Sequence, residues 1–209
     1  MPTPEEILNG LKEIANAWQL LAILWHGYFA TLALILILGA RPSKRLVGLL
    51  LVMPLFSVSA LAWVSANPFN GAFFSFSGVA LLIILIRLPK ENIRIAPLWA
   101  TVIGAIMFLF GWIYPHFLET ESFFPYLYSA PTGLIPCPTL SIVIGISIIL
   151  GSFGDRAWSI VLAVTGVFYG IFGAAHLDVS LDWILLIGAL LVILAVFKDT
   201  IADQLDAVS

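Results

Sequence analysis

AWQLLAILWHGYFATLALILIL, residues 17–38, carries His26 as its only side chain that titrates near neutrality. About 20 consecutive apolar residues span the hydrocarbon core of a bilayer as a helix. Backbone in lipid must satisfy its own hydrogen bonds, so a helix is the default for such a run. The stretch therefore reads as a transmembrane helix, and the rest of the chain repeats its pattern. Charge-free apolar runs recur at about 46–65, 71–86, 97–114, 138–152, 157–175 and 181–197, separated by Pro, Gly and charged residues.

Composition agrees with this reading. The 209 residues are 61% hydrophobic and 10% charged, with a mean hydropathy of +1.08. Soluble domains run nearer half apolar and a quarter charged. At about 20 residues per crossing, the seven runs leave no room for a soluble catalytic domain. The expected fold is thus an all-α integral membrane protein: one domain, residues 1–209, forming a bundle of seven transmembrane helices. The single Cys forms no internal disulfide.

Orientation follows from the basic residues. Arg41, Lys44, Arg45, Arg87, Lys90, Arg94, Arg156 and Lys198 fall on one side of a seven-span chain, and only Lys12 falls on the other. The opposite side carries Glu5, Glu6, Glu13, Glu119, Glu121, Asp178 and Asp182. That predicts an N-terminus outside and a C-terminus in the cytoplasm. The first residues lack the basic region of a cleavable signal peptide. Residues 4–16 read as a short amphipathic helix, with Ile7, Leu8, Leu11 and Ile14 on one side. It either lies on the outer membrane interface or extends span one.

Unusual polar groups collect toward the outer half. His26 lies roughly 14 Å below the outer boundary at 1.5 Å per residue, and an intramembrane ionisable group is a functional candidate by default. The alternative is a neutral ring hydrogen-bonded to a neighbouring helix. His116 follows Tyr114 and Pro115 at the end of span four, and His176 ends span six. The run Ala130-Pro131-Thr132-Gly133-Leu134-Ile135-Pro136-Cys137-Pro138-Thr139 cannot form a regular helix throughout. Pro138 suits a first helical position, which would put Cys137 near the N-cap, where the helix dipole favours a thiolate. Asp182 falls in the first turn of span seven, either satisfying helix N–H groups or relaying protons.

Other features read as structural. Asn67-Pro68-Phe69-Asn70-Gly71 has the residues of a turn and helix start. Pro54, inside span two, frees the carbonyl near Leu50. Gly166 and Gly170 give a GxxxG spacing, a close-packing face within the chain or against another chain. No Walker loop, GxSxG, HExxH or CxxCH occurs. Span seven has no interior Lys for a Schiff base, and the basic residues are too few and scattered for nucleic acid.

The string Trp112–His116, the Gly133–Thr139 run, and the segments 158–161 and 177–183 resemble a family of bacterial multi-pass membrane proteins. That family is a domain of unknown function, sometimes labelled permease-like, and Gly-Leu-x-Pro-Cys-Pro-Thr is its most specific motif. The likeness extends over nearly the whole chain, including the Asn67–Pro68 loop and the acidic N-terminal helix. It implies a bacterial cytoplasmic (inner) membrane protein with seven spans, and no activity. His26 has no counterpart in the family pattern.

Three functions are expected from these residues. The first is permease-like passage of an ion or small solute through an outer-side polar cavity lined by His26, Tyr114, Cys137 and Asp182. The second is a metal- or haem-binding subunit with His26, His116, Cys137 and His176 as ligands, since imidazole and thiolate suit copper, zinc or haem iron. The third is an accessory subunit of a homo-oligomer or larger membrane complex, assembled through Gly166 and Gly170. No nucleophile–base pair for lipid chemistry is visible.

Overall fold

The computed structural model describes residues 3–206, with side chains to residue 194. Most of these residues are helical, and the only β-type pairing among them is an isolated bridge between Ser43 and Asn92. The first helix, α1 (Pro4–Ala17), starts with a capping box. The Thr3 side chain accepts from the Glu6 N–H at 3.3 Å while the Glu6 carboxylate accepts from the Thr3 N–H at 2.7 Å. A joint at Trp18 (φ −114°, ψ 27°) separates α1 from α2 (Gln19–Ile37). The hydrogen bonds Trp18 N–H to Ile14 and Ala22 N–H to Trp18 continue across it. The apolar face of α1 packs against the chain itself. Leu11 and Ile14 are buried against Leu134, Ile135, Leu177 and Val179 of the same chain.

The remaining elements are α3 (Lys44–Val64), α4 (Pro68–Arg87), α5 (Leu98–Ile113), the single turn α6 (Tyr126–Ser129), α7 (Pro136–Ile149), α8 (Arg156–Ile171) and α9 (Asp182–Asp206). Each expected segment contains a helix. Four are long and apolar enough to cross a membrane: Gln19–Ile37, Lys44–Val64, Pro68–Arg87 and Arg156–His176. The last of these is α8 continued by a wide π-helical turn, Phe172–His176. Shorter apolar helices are Leu98–Ile113 and Pro136–Ile149, and α9 is apolar over Asp182–Leu194, the part whose side chains are described.

Two boundaries differ from expectation. Helix α7 starts at Pro136 rather than Pro138, so Cys137 sits inside its first turn and not at the cap. It ends at Ile149 because a tight turn follows, with positive φ at Gly151, Ser152, Phe153 and Gly154.

Helix α7 is the axis of the bundle, with nearly every side chain from Pro136 to Ser147 buried. Its approach to α5 is set by glycine. A Cβ on Gly104 would lie 2.5 Å from the Gly145 carbonyl oxygen, and one on Gly111 would run into the Pro138 carbonyl. Helix α8 packs on α9 in the same way. A Cβ on Gly166 would stand 2.8 Å from that of Ala189, and one on Gly170 would stand 2.8 Å from the Leu186 backbone. The GxxxG face is therefore covered by α9 of the same chain.

Pro54 behaves as its sequence position requires. The carbonyl it frees, that of Leu50, accepts a hydrogen bond from the Tyr28 hydroxyl of α2 at 2.8 Å. Asn67 caps α4 by accepting from the Asn70 N–H at 3.1 Å. At one end of the bundle the 38–43, 88–97 and 150–155 loops meet. Ala96 N–H donates to the Ile149 carbonyl at 2.8 Å, Arg45 Nε to the Leu88 carbonyl at 2.7 Å, and Lys44 pairs with Glu91 at 3.0 Å. Helix α1 lies with the other set of loops.

Tyr28→Phe should leave the Leu50 carbonyl without a partner, at a cost of about 1–3 kcal/mol. Thermal unfolding in mild detergent reads this directly, and an unchanged midpoint would show that the bond contributes nothing.

Candidate functional site

The site is built on the irregular run before α7. Gly133 adopts a positive φ of +77°, and any Cβ there would enter the Trp25 ring. Its N–H donates to the Thr139 hydroxyl at 2.8 Å, and that hydroxyl donates to the Ile135 carbonyl at 2.7 Å. One buried side chain thus closes the loop onto the first turn of α7. The first and last residues of the Gly133–Thr139 motif are the two that bond each other.

The carboxyl end of α5 is sealed with equal economy. The last four carbonyls of a helix have no partner within it. Here Phe110 accepts from the Tyr114 N–H at 2.9 Å and Gly111 from the Thr132 hydroxyl at 2.6 Å, and the Trp112 carbonyl lies 3.0 Å from His26 Nε2. His26 is 4% exposed, and its Nδ1 lies 2.9 Å from the Ala22 carbonyl. A neutral imidazole has one N–H and serves one of these carbonyls; the doubly protonated ring serves both. His26 is therefore a side-chain cap that ties α2 to the end of α5. It does not line the pocket described next.

Tyr114, Cys137 and Asp182 come together there. The Tyr114 hydroxyl donates to Asp182 Oδ1 at 2.8 Å, and the Cys137 thiol donates to Asp182 Oδ2 at 3.1 Å. Tyr114 is 0% and Asp182 2% exposed, while Cys137 is partly buried. Both bonds are given to the carboxylate, which in its ionised form is an acceptor only. The carboxylate does not cap the N–H groups of α9, and the thiol proton is engaged by an acid.

Two backbone features make room for Asp182. A Cβ on Gly173 would overlap its carboxylate, so only glycine fits this position. Gly173 lies in the π-helical turn Phe172–His176, a widening that often marks functional sites. The carboxylate, thiol and phenol border a small cavity that also meets Asn70 and Tyr169. The Tyr169 hydroxyl donates to Asn70 Oδ1 at 2.9 Å. The space open to the centre of a water molecule is ≈ 20 Å³, room for about one water or small ion.

The pocket is roofed by α1, whose Ile7 and Leu11 form part of its wall together with Phe117. Three polar contacts hold this roof to the 117–119 loop. Asn16 Nδ2 donates to the Phe117 carbonyl at 2.9 Å, the Glu119 N–H donates to Asn16 Oδ1 at 2.9 Å, and Lys12 pairs with Glu119 at 3.0 Å.

The other histidines stand apart. The His116 ring packs on Phe117 with centroids 4.2 Å apart, and burial holds its imidazole below the usual range. His176 is exposed beside Phe172. The four expected metal ligands do not assemble: among the described residues no three His, Cys, Asp or Glu side chains are grouped to hold a metal ion. Asn70, Tyr169 and Gly173 were missed by sequence reading. Asn70 passed for a turn residue, and the Gly173 signal was its neighbourhood to the Gly166–Gly170 spacing.

Removing both tethers by Lys12→Ala with Asn16→Ala should loosen the roof. An exposed ion pair contributes about 0.2–1 kcal/mol and each hydrogen bond about 0.5–1.5 kcal/mol. The variant should therefore expose Cys137 to a small methanethiosulfonate reagent about tenfold faster or more. Equal labelling rates would show that α1 does not limit access.

No family model, no curated protein and no solved structure matches this chain.

Proposed function

We propose that the chain is a seven-span protein of the bacterial cytoplasmic membrane, N-terminus outside, that passes a small cation through the pocket of Tyr114, Cys137 and Asp182. The span count is supported by four helices of full spanning length, by the shorter apolar helices α5 and α7, and by α9, apolar over its described side chains. Helix α7, with 14 residues, is about 21 Å long at 1.5 Å per residue. That falls short of the roughly 30 Å core, which suits a helix surrounded by others. The orientation is supported by the basic residues, and the resemblance of residues 133–139 points to the same membrane. Reporter fusions after residues 42, 92 and 209 should all report the cytoplasmic side, and one after residue 120 the outside. A cytoplasmic residue 120 would overturn the orientation.

One observation carries the transport reading. Asp182 is 2% exposed, and the partners of its carboxylate oxygens are a phenol and a thiol, both neutral. Burying a carboxylate with no positive partner costs several kcal/mol, and a cation that reaches it recovers that cost. An intramembrane carboxylate marks an ion pathway by default. Glu5, Glu6, Glu13, Glu119 and Glu121 surround the approach in sequence, and such a field concentrates cations.

The test is flux into proteoliposomes with sodium, potassium and silver presented singly outside. Asp182→Asn keeps the shape of the side chain and removes its charge. It should lower the flux of the conducted cation by about tenfold or more, the rate equivalent of 1.4 kcal/mol. No flux above protein-free liposomes for any of the three, or full flux in Asp182→Asn, would overturn the reading.

A further inference from the structure

We propose that Asn16 is a positioning residue that couples the roof of the pocket to the carboxylate inside it. When α1 lifts about the Trp18 joint, the Phe117 ring leaves Tyr114 and the Tyr114 hydroxyl leaves Asp182. The acid is thus freed as the pocket opens. The inference rests on the cation reading above and names how its site is regulated. Three observations support it.

The first is the grip of Asn16. Its amide donates to the Phe117 carbonyl at 2.9 Å and accepts from the Glu119 N–H at 2.9 Å. Both bonds come from one side chain of α1, so the 117–119 backbone feels any movement of that helix. Phe117 has a positive φ of 76°. A bulky residue seldom adopts this conformation, and it persists only where the surroundings impose it. The Asn16 bond to its carbonyl is such an imposition. Once that bond breaks, Phe117 relaxes to negative φ and its ring swings away.

The second is the contact of two rings. Phe117 lies on Tyr114 with centroids 6.2 Å apart and planes 15° from parallel, and both residues border the cavity. Tyr114 is fully buried, and its hydroxyl donates to Asp182 Oδ1 at 2.8 Å. A buried ring is held in place by the atoms packed around it. Departure of Phe117 opens one face of Tyr114, and the bond to Asp182 loses the packing behind it. The carboxylate then keeps the Cys137 thiol as its remaining donor, and an under-bonded buried carboxylate gains more from an arriving cation.

The third is which part moves. The 117–119 loop has its own hold on the bundle, because the Tyr126 hydroxyl donates to the Leu118 carbonyl at 3.3 Å. Helix α1 has a joint instead. The chain bends at Trp18 while the N–H bonds on either side continue. Beyond that joint α1 is held by the buried Leu11 and Ile14, by Asn16, and by the exposed Lys12–Glu119 pair. An element with few buried apolar contacts opens before the core does. A swing that is large at Ile7 and small at Asn16 still breaks both amide bonds, since hydrogen bonds weaken steeply off line.

The experiment follows Tyr114 itself. Full-length protein carrying meta-fluorotyrosine at its five tyrosines is studied in mild detergent by fluorine NMR, the Tyr114 signal being the one lost in Tyr114→Phe. The labelling rate of Cys137 by a small methanethiosulfonate reagent reports the roof. Asn16→Ala should speed labelling about tenfold or more and move the Tyr114 signal toward its position in Asp182→Asn. Phe117→Leu keeps the apolar bulk and removes the ring. In that background Asn16→Ala should still speed labelling and should leave the Tyr114 signal where Phe117→Leu puts it. A general loosening would move the signal in both backgrounds, and that result overturns the proposal. So does faster labelling with an unmoved Tyr114 signal, and so does an unchanged labelling rate. Asn16→Ser repeats the series if Asn16→Ala is not monodisperse. Neither readout needs flux. The paired changes without flux of sodium, potassium or silver would sink the cation reading alone, and flux without the paired changes would sink this proposal alone.

Discussion

Everything in this fold is arranged around a helix that has no exposed side. Helix α7 is too short to span a bilayer alone at about 1.5 Å per residue, and it is buried over nearly its whole length. In lipid there is no hydrophobic gain from moving an apolar helix against another, so close packing must hold it. The glycines at 104, 111 and 145 let α5 and α7 touch backbone to backbone. A short central helix also leaves space above its amino end. The irregular run before it fills part of that space, and the polar pocket occupies the rest.

The second governing demand is that each buried backbone group find a partner. It explains three side chains at once. Tyr28 answers the carbonyl freed by Pro54, Thr132 answers Gly111, and His26 answers Trp112. Each lies in a different element from the carbonyl it serves, so these bonds also fix how the elements meet. His26 thus has a local reason for its depth, quite apart from transport.

Much of the architecture was legible because the signals were long. A run of apolar residues is the same evidence wherever it packs, and all seven runs contain helices. Tyr114, Cys137 and Asp182 stood out as polar residues at the rim of apolar segments, and they meet. The docking of α1 was not legible, since an amphipathic face looks alike whether lipid or protein covers it. The start of α7 was misplaced because Pro136 and Pro138 both suit a first turn. The choice is made by the Thr139 hydroxyl, which closes on Gly133 and Ile135 through three-dimensional contacts. Gly173 carries no sign in the sequence that a carboxylate from another helix will rest on it.

The three groups of the pocket come from α5, α7 and α9, and the carboxylate belongs to the last of these to leave the ribosome. Until α9 is in place, the Tyr114 hydroxyl and Cys137 thiol have no acceptor, and the Gly173 niche has no occupant. The acid is therefore the member of the cluster that arrives after both of its partners. The site exists only once α9 has packed on its neighbours, so a thiol still open to reagents during biogenesis marks a chain in which α9 has not docked.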